Sequence, residues 1–286
     1  MPTVGTMWIR DGVLVNRMHV NPVAFAYSYY AFTAPEKRAN ITVEQLINFG
    51  FAKSGISCAE KMRLFNVECV NALEHVEAAA SFYNILATEA ANSCTYFDGA
   101  IELLADLQAA GAKNFITSAV DQPVLDAWKT STQGSLCAPY LAEILGKRPN
   151  FLKGRDHFEH ASKLVNAQPI YCVADASAEI ASAKESSAQY NLIPVGFGYV
   201  VDQHQVLEAV ALVQNALVSC GDQAPYVVEA TAIDPKLLVL QDAGQVESSL
   251  RAAGAEFVAT GGIKEIMNDL RGYFRTAMVL ADRTAV

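Results

Sequence analysis

The chain has 286 residues, of which 52% are hydrophobic and 18% charged, and a formal net charge of −9. This length and composition indicate a compact globular protein with room for one sizeable core and a smaller appended domain. The negative charge disfavours nucleic acids and acidic membrane surfaces as general partners. No secretory leader and no apolar run of membrane-spanning length is recognisable, so a cytoplasmic location is the default expectation.

The first predicted element is a short apolar strand over residues 4–9 that runs into a turn. Its end reads Met7-Trp8-Ile9-Arg10-Asp11-Gly12-Val13-Leu14-Val15. Ile9 therefore stands at the end of a strand, and Arg10 and Asp11 open the following loop. In open α/β sheets, ligands bind in the crevice outside the carboxyl ends of the strands.

A strongly helical block follows, from residue 21 to about residue 92, with residues such as Ala, Tyr, Leu and Glu in runs at three- and four-residue spacing. Thr42, followed by Gln45 three residues later, predicts a capping box at the start of one helix. The block is too long for an ordinary loop between a strand and a helix. We therefore predict a helical domain over residues 17–92, inserted into an α/β domain.

From Cys94 onward, helix and strand patterns alternate, which favours a parallel sheet with helices on both faces. A helical segment over residues 97–111 leads into a strand, 114–118, and a later strand, 169–173, leads into another helix. We assign residues 1–16 and 93–286 to this α/β core.

An extra segment at about residues 200–245 carries an apolar helical stretch, 206–213, and a possible strand, 237–240. Two interpretations stay open. The segment is either a buried elaboration of the fold or a surface for a partner, including a second copy of the chain in a homodimer.

Two histidines, His157 and His160, stand three residues apart in a predicted helix. This spacing is compatible with a metal pair, but no acidic or cysteine partner stands near them in the sequence. A solvated helix face is therefore the favoured interpretation.

The order of these motifs resembles that of the haloacid dehalogenase (HAD) superfamily. In that family, the first strand ends in an aspartate nucleophile, followed by one spacer and a second aspartate. Arg10 matches the spacer and Asp11 the second aspartate, which is the family's general acid/base, whereas Ile9 occupies the nucleophile position. The resemblance implies an α/β fold with a Rossmann-like, doubly wound parallel sheet and an inserted helical cap domain.

The resemblance also implies a phosphate-binding set. Thr117, with Ser118 beside it, matches the hydroxyl that binds a phosphate oxygen. Lys153 matches the lysine that holds the phosphoryl group, with Lys147 as the second choice. Arg10 adds a positive charge next to this set.

A magnesium site is the third implication of the resemblance. Asp175 and Glu179 match two acids that serve the ion in the family, and the backbone carbonyl of Asp11 supplies a further oxygen ligand. Because the carboxylate expected at position 9 is missing, we expect any magnesium to bind more weakly.

A hydrocarbon side chain cannot form an acyl-phosphate, so the sequence excludes covalent catalysis at Ile9 as written. The first hypothesis is a pseudoenzyme that binds a small phosphorylated or carboxylate ligand, the cap closing over it. The second is an atypical hydrolase in which Asp11 acts as general acid/base without a covalent intermediate. The third is a subunit of a complex that acts through the extra segment.

Overall fold

The computed structural model describes residues 4–68, 72–228 and 233–284, with side chains up to residue 278. The chain divides into two compact units. An α/β unit comprises Met1–Asn16, Thr95–Val200 and Asp242–Val286, and a helical unit comprises Arg17–Cys94 and Val201–Gln241.

The described strands are, in chain order, β1 (Gly5–Ile9), β2 (Lys113–Asp121), β3 (Glu143–Lys147), β4 (Ile170–Ala174), β5 (Leu192–Gly198) and β6 (Phe257–Thr260). The described α-helices are α1 (Val20–Ala31), α2 (Val43–Ala52), α3 (Cys58–Glu68), α4 (Val76–Ala91), α5 (Ala100–Ala109), α6 (Gln122–Thr130), α7 (Thr132–Cys137), α8 (Arg155–Leu164), α9 (Ser177–Tyr190), α10 (Gln203–Cys220), α11 (Ala243–Ala252) and α12 (Ile266–Thr284).

All six strands of the α/β unit lie in one sheet of order β3-β2-β1-β4-β5-β6, and every neighbouring pair is parallel. The strand order reverses between β1 and β4. This is the strand order of a Rossmann-like, doubly wound sheet, in which the reversal opens a crevice at the carboxyl ends of the two strands.

Helices cover both faces of the sheet, as expected of strands that are apolar on both sides. On one face, Met7 and Phe115 belong to an apolar cluster that includes Phe158 of α8 and Ala183 of α9. On the other face, the ring of Trp8 lies 5.7 Å from that of Phe274 in α12. The predicted doubly wound parallel sheet is therefore confirmed.

The helical unit is built around α1, most of whose residues are buried. α1 contacts α2, α4 and α10. The capping box predicted at Thr42 and Gln45 is present at the start of α2. No helix in the described ranges combines the length and apolar composition needed to cross a bilayer.

The segment 201–241 packs within this helical unit, whereas the sequence placed it with the α/β core. Its helix α10 buries Val206, Val210 and Val213, and the side-chain amide of Gln214 donates to the Tyr27 hydroxyl of α1 at 2.7 Å. Apolar periodicity shows which face of a helix is buried but does not identify the element that covers it.

The strand predicted at 237–240 is wrong. The chain there forms a 3₁₀ turn, Pro235–Leu237, followed by irregular backbone. The side chain of Asn48 donates to the carbonyl of Leu237 and accepts from the amide of Val239, both at 2.8 Å. One amide side chain therefore satisfies backbone groups that a neighbouring strand would otherwise pair.

Candidate functional site

The site predicted from the sequence lies at the carboxyl edge of the sheet, beside the reversal of strand order. Ile9, the last residue of β1, pairs in register with Thr117 of β2. On the other side of β1, Trp8 pairs with Val173 of β4, so that Asp175 follows just beyond the same edge. The Ile9 side chain is 9% exposed and offers only hydrocarbon to its surroundings.

Arg10 and Asp11 form a bidentate ion pair in the loop after β1. The Arg10 Nε donates to Oδ1 of Asp11 and Nη2 donates to Oδ2, both at 2.8 Å. The guanidinium lies 5.1 Å from the ring centroid of Trp128, and the Arg10 side chain is 7% exposed. Burial opposes the charge of Arg10, but the interaction with Asp11 outweighs it and raises the Arg10 pKa. Both oxygens of Asp11 therefore already accept hydrogen bonds from within the chain.

Lys153 and Glu179 form a second ion pair, between the loop before α8 and the first turn of α9. The Lys153 ammonium donates to Oε1 of Glu179, and the two side chains are 23% and 16% exposed. The second oxygen of Glu179 is buried and has no hydrogen-bond partner among the residues that the structure describes. Gly154 adopts a positive φ of 102°, a conformation that favours glycine, and so turns the chain from Lys153 into α8.

Asp175, at the end of β4, lies near these charges. Burial raises the pKa of its carboxyl group well above the ordinary value, and the charges of Glu179 and Asp11 raise it further. The Lys153 ammonium acts in the opposite direction. The structure thus brings four predicted site residues close enough to one another for their charges to interact.

Thr117 makes a contact that the sequence did not predict, with His157 of α8. The Thr117 Oγ1 lies 2.7 Å from His157 Nδ1, and both residues are buried. If His157 carries its proton on Nδ1, it donates to Thr117 and leaves the threonine proton for an anion. Ser118 instead accepts from the amide of Val120, at 3.2 Å.

The expectation of a solvated face is wrong for His157, which is fully buried. Burial lowers its pKa to about 4, although a hydrogen bond to the Gly146 backbone opposes the shift. The imidazole is therefore neutral at pH 7. Ala161 and Val165 follow His157 at four-residue spacing, and this apolar stripe is the sequence signal that could have identified its burial.

The remaining candidates lie at the edges of the α/β unit. His160 meets Glu143 at 2.7 Å and its side chain is 35% exposed. Lys147, the second choice for the phosphate lysine, is 56% exposed and lies 3.8 Å from Asp121. No site residue contacts Lys147 through an observed ion pair, so Lys153 stays the candidate.

The carboxylates of this site do not fit a magnesium ion. Magnesium requires several hard oxygen ligands at near-octahedral positions. Ile9 supplies none, Asp11 is paired with Arg10, and Glu179 is paired with Lys153. In the part of the chain that the structure describes, no group of three or more His, Cys, Asp or Glu side chains is placed to hold a metal ion.

Comparison with family models gives no match for the sequence, and comparison with curated proteins gives none either. Solved structures are similar over nearly the whole chain. The crystal structure of a hydrolase from Pseudomonas syringae has a TM-score of 0.56 and 16% identity, covering 94% of this chain and 99% of its own. A predicted phosphatase from Clostridium acetobutylicum has a TM-score of 0.55 and 12% identity, covering 96% and 100%.

A HAD family hydrolase from Deinococcus radiodurans R1, crystallised with bound phosphate and sodium, is also similar. Its TM-score is 0.52 and its identity 13%, covering 98% of this chain and 97% of its own. At such identities the likeness concerns the fold. Together with the strand order 3-2-1-4-5-6 and the inserted helical unit, it shows that the chain has the fold of the haloacid dehalogenase superfamily.

Proposed function

We propose that this protein binds a small phosphorylated or carboxylate ligand at the carboxyl edge of the sheet, without covalent catalysis. The observation that carries the proposal is the register of Ile9 with Thr117. A hydrocarbon stands at the end of the central strand β1, directly beside Thr117, the β2 residue that carries the hydroxyl. A nucleophilic attack from position 9 is chemically impossible.

Positive and donor groups at the same edge favour an anion. The partly exposed Lys153 ammonium lies there, and α9 begins immediately after Asp175. The residue that precedes α9, Ala176, caps none of its first amides with a side chain. Uncapped amides at the start of a fourteen-residue helix carry partial positive charge and attract anions. The phosphate in the similar Deinococcus hydrolase supports the same ligand class.

A binding titration tests the proposal directly. Calorimetry with inorganic phosphate and with a small dicarboxylate should detect binding to the wild type, and Lys153→Met should lose most of it. Lys184→Met is the matched control, because Lys184 is a half-exposed lysine of α9 that pairs with Glu256 instead. Failure of both ligand classes to bind would contradict the proposal.

The absence of covalent catalysis is tested by phosphate release from a panel of small phosphoesters. The wild type should be inactive, and Ile9→Asp is the variant that restores the carboxylate. Activity in the wild type would contradict the pseudoenzyme interpretation.

A second candidate is an atypical hydrolase in which Asp11 acts as general acid/base. The observation in its favour is that the Asp11 side chain, in the loop after β1, keeps 20% of its surface exposed. Against it, both carboxylate oxygens accept from Arg10. Phosphate release by the wild type that disappears in Asp11→Asn would favour this candidate.

A cytoplasmic location and a homodimer stay predictions. Light scattering after size-exclusion chromatography measures the molar mass and so tests the homodimer.

A further inference from the structure

We propose that the site takes its anionic ligand without magnesium, because two side-chain cations of the chain itself neutralise the carboxylates that a metal would need. The inference rests on the proposed function of anion binding. It assigns to Arg10 a role that its sequence position alone does not indicate: the guanidinium holds the side-chain carboxylate of Asp11 away from metal coordination.

The first carboxylate is removed from metal coordination by geometry. Arg10 binds Asp11 through two parallel hydrogen bonds of 2.8 Å, and the ring of Trp128 lies 5.1 Å from the guanidinium. A planar guanidinium fixed in this way is matched to both carboxylate oxygens at once. A metal ion that recruited the Asp11 side chain would have to separate the pair and leave Arg10, 7% exposed, without its counter-ion.

That separation has a large cost. Removing one partner of a buried ion pair leaves an uncompensated charge, and its typical energetic effect corresponds to roughly a hundredfold to a few thousandfold in a binding constant. A metal ion must overcome this factor before it gains anything from Asp11. Position 9 supplies nothing in exchange, because its side chain is hydrocarbon.

The second carboxylate is neutralised from the other side of the site. The Lys153 ammonium donates to one oxygen of Glu179, and the other oxygen is buried without a partner. Within the described ranges, Asp175 is the one acidic side chain of this set for which no ion pair is observed. One carboxylate and backbone carbonyls make a poor site for an ion that demands near-ideal octahedral geometry.

The same pairs explain how an anion could still bind. Each ion pair has no net charge, so the site does not present three bare carboxylates to an incoming phosphate. Lys153 has three ammonium protons and donates one of them to Glu179, which leaves donors for a ligand oxygen. The side-chain cations of the chain thus neutralise the carboxylates that a bound metal ion would otherwise neutralise.

Two measurements test the inference, and the first uses the wild-type protein. Inorganic phosphate is titrated calorimetrically in EDTA and again in magnesium. Equal affinity within about twofold supports the inference, and binding that requires magnesium overturns it while leaving the proposed function intact. If phosphate binds in neither condition, the proposed function fails, and the second measurement alone decides the inference.

The second measurement is the binding of Mn²⁺, followed by its electron paramagnetic resonance signal, without any anion. The wild type and Ile9→Asp should bind it weakly. The double variant Ile9→Asp/Arg10→Met, which removes the bidentate Arg10 pair from the Asp11 carboxylate, should bind it at least about a hundredfold more tightly than Ile9→Asp. The control Ile9→Asp/Arg155→Met removes an equal charge from the exposed start of α8 and should match Ile9→Asp.

Circular dichroism melts establish that each variant is folded before its metal affinity is compared. Tight binding of Mn²⁺ by the wild type would overturn the inference. So would an Arg10→Met double variant that folds but gains no affinity over Ile9→Asp.

Discussion

Thr6 is the centre of a buried hydrogen-bond chain inside the sheet. Its Oγ1 accepts from the Trp8 indole and donates to the Asn114 side chain, both at 2.7 Å. Asn114 in turn donates to the carbonyls of Leu104 and Tyr140. Because Thr6, Trp8 and Asn114 are fully buried, their side-chain polar groups have no access to water to replace a lost partner.

Thr6→Val should therefore lower the free energy of unfolding by about 2–4 kcal/mol, since it leaves the Trp8 indole and the Asn114 oxygen without partners. Urea unfolding followed by circular dichroism measures this change. Thr6→Ser keeps the hydroxyl and should cost less than about 1.5 kcal/mol. Equal losses in the two variants would contradict the role of the hydrogen bonds.

His157 predicts a pH dependence of stability. Its folded pKa of about 4 lies below the ordinary value of 6.5, because burial disfavours the imidazolium. The unfolded chain therefore binds more protons between these two values, and stability falls as the pH falls from about 6.5 towards 4. The loss approaches about 3 kcal/mol when the lower value is reached.

Urea unfolding at a series of pH values checks this prediction. His157→Gln should be less stable at pH 7 but should lose less stability on acidification than the wild type. An identical slope in His157→Gln would show that another group titrates.

At the residue scale, the sequence offers candidate site positions but does not predict how their side chains pair. Arg10 and Asp11 are adjacent in the chain, and only the course of the loop after β1 determines whether their side chains meet. The contact between Thr117 and His157 joins residues forty positions apart. Such contacts depend on how α8 packs against the sheet, and the local sequence pattern does not predict that packing.

At the element scale, close approach of backbone segments explains one glycine in particular. Gly134 lies in α7, whose N-cap, Ser131, accepts from the Gly134 amide. A Cβ added at Gly134 would lie 2.0 Å from the carbonyl oxygen of Trp128. That oxygen is backbone, so the end of α6 would have to move.

Gly134→Ala should therefore destabilise the protein by about 1–3 kcal/mol through overpacking. Gly272→Ala is the matched control, because Gly272 lies within α12 and its added Cβ would meet nothing within 4 Å. There, the better helix former should stabilise by about 0.5–1 kcal/mol. Thermal melts of the two variants should shift in opposite directions, and a shared direction would refute the steric argument.

Three of the six described strands were predictable because each is a short apolar run bounded by turn residues. The strands predicted at 4–9, 114–118 and 169–173 correspond to β1, β2 and β4. The element that packs against α10 was not predictable, because apolar periodicity shows which face of a helix is buried but not which element covers that face. The segment 237–240 is apolar like a strand, but the Asn48 side chain satisfies its backbone.

At the scale of the whole molecule, the side-chain charge proposed to meet the ligand is opposite in sign to the net charge of the chain. The chain carries a formal net charge of −9, yet the residues proposed to meet an anion include the partly exposed cation Lys153. A negative overall field repels polyanions, whereas buried or partly buried charges act over short distances and are screened less by salt. The molecule therefore suits a small anion better than a nucleic acid.

The proposed ligand contacts all belong to the α/β unit, and this predicts where ligand binding stabilises the chain. Phosphate at one hundred times its dissociation constant should stabilise the structure that binds it by about 2.7 kcal/mol. Amides of β1, β2 and β4 that exchange by unfolding of that unit should then exchange about a hundredfold more slowly. Hydrogen exchange with mass spectrometry, with and without phosphate in EDTA, measures the change strand by strand.

Lys153→Met should abolish the protection, and Lys184→Met should retain it. Protection that appears only in α1 and α10 would place the ligand in the helical unit instead and would contradict a site built on Thr117 and Lys153.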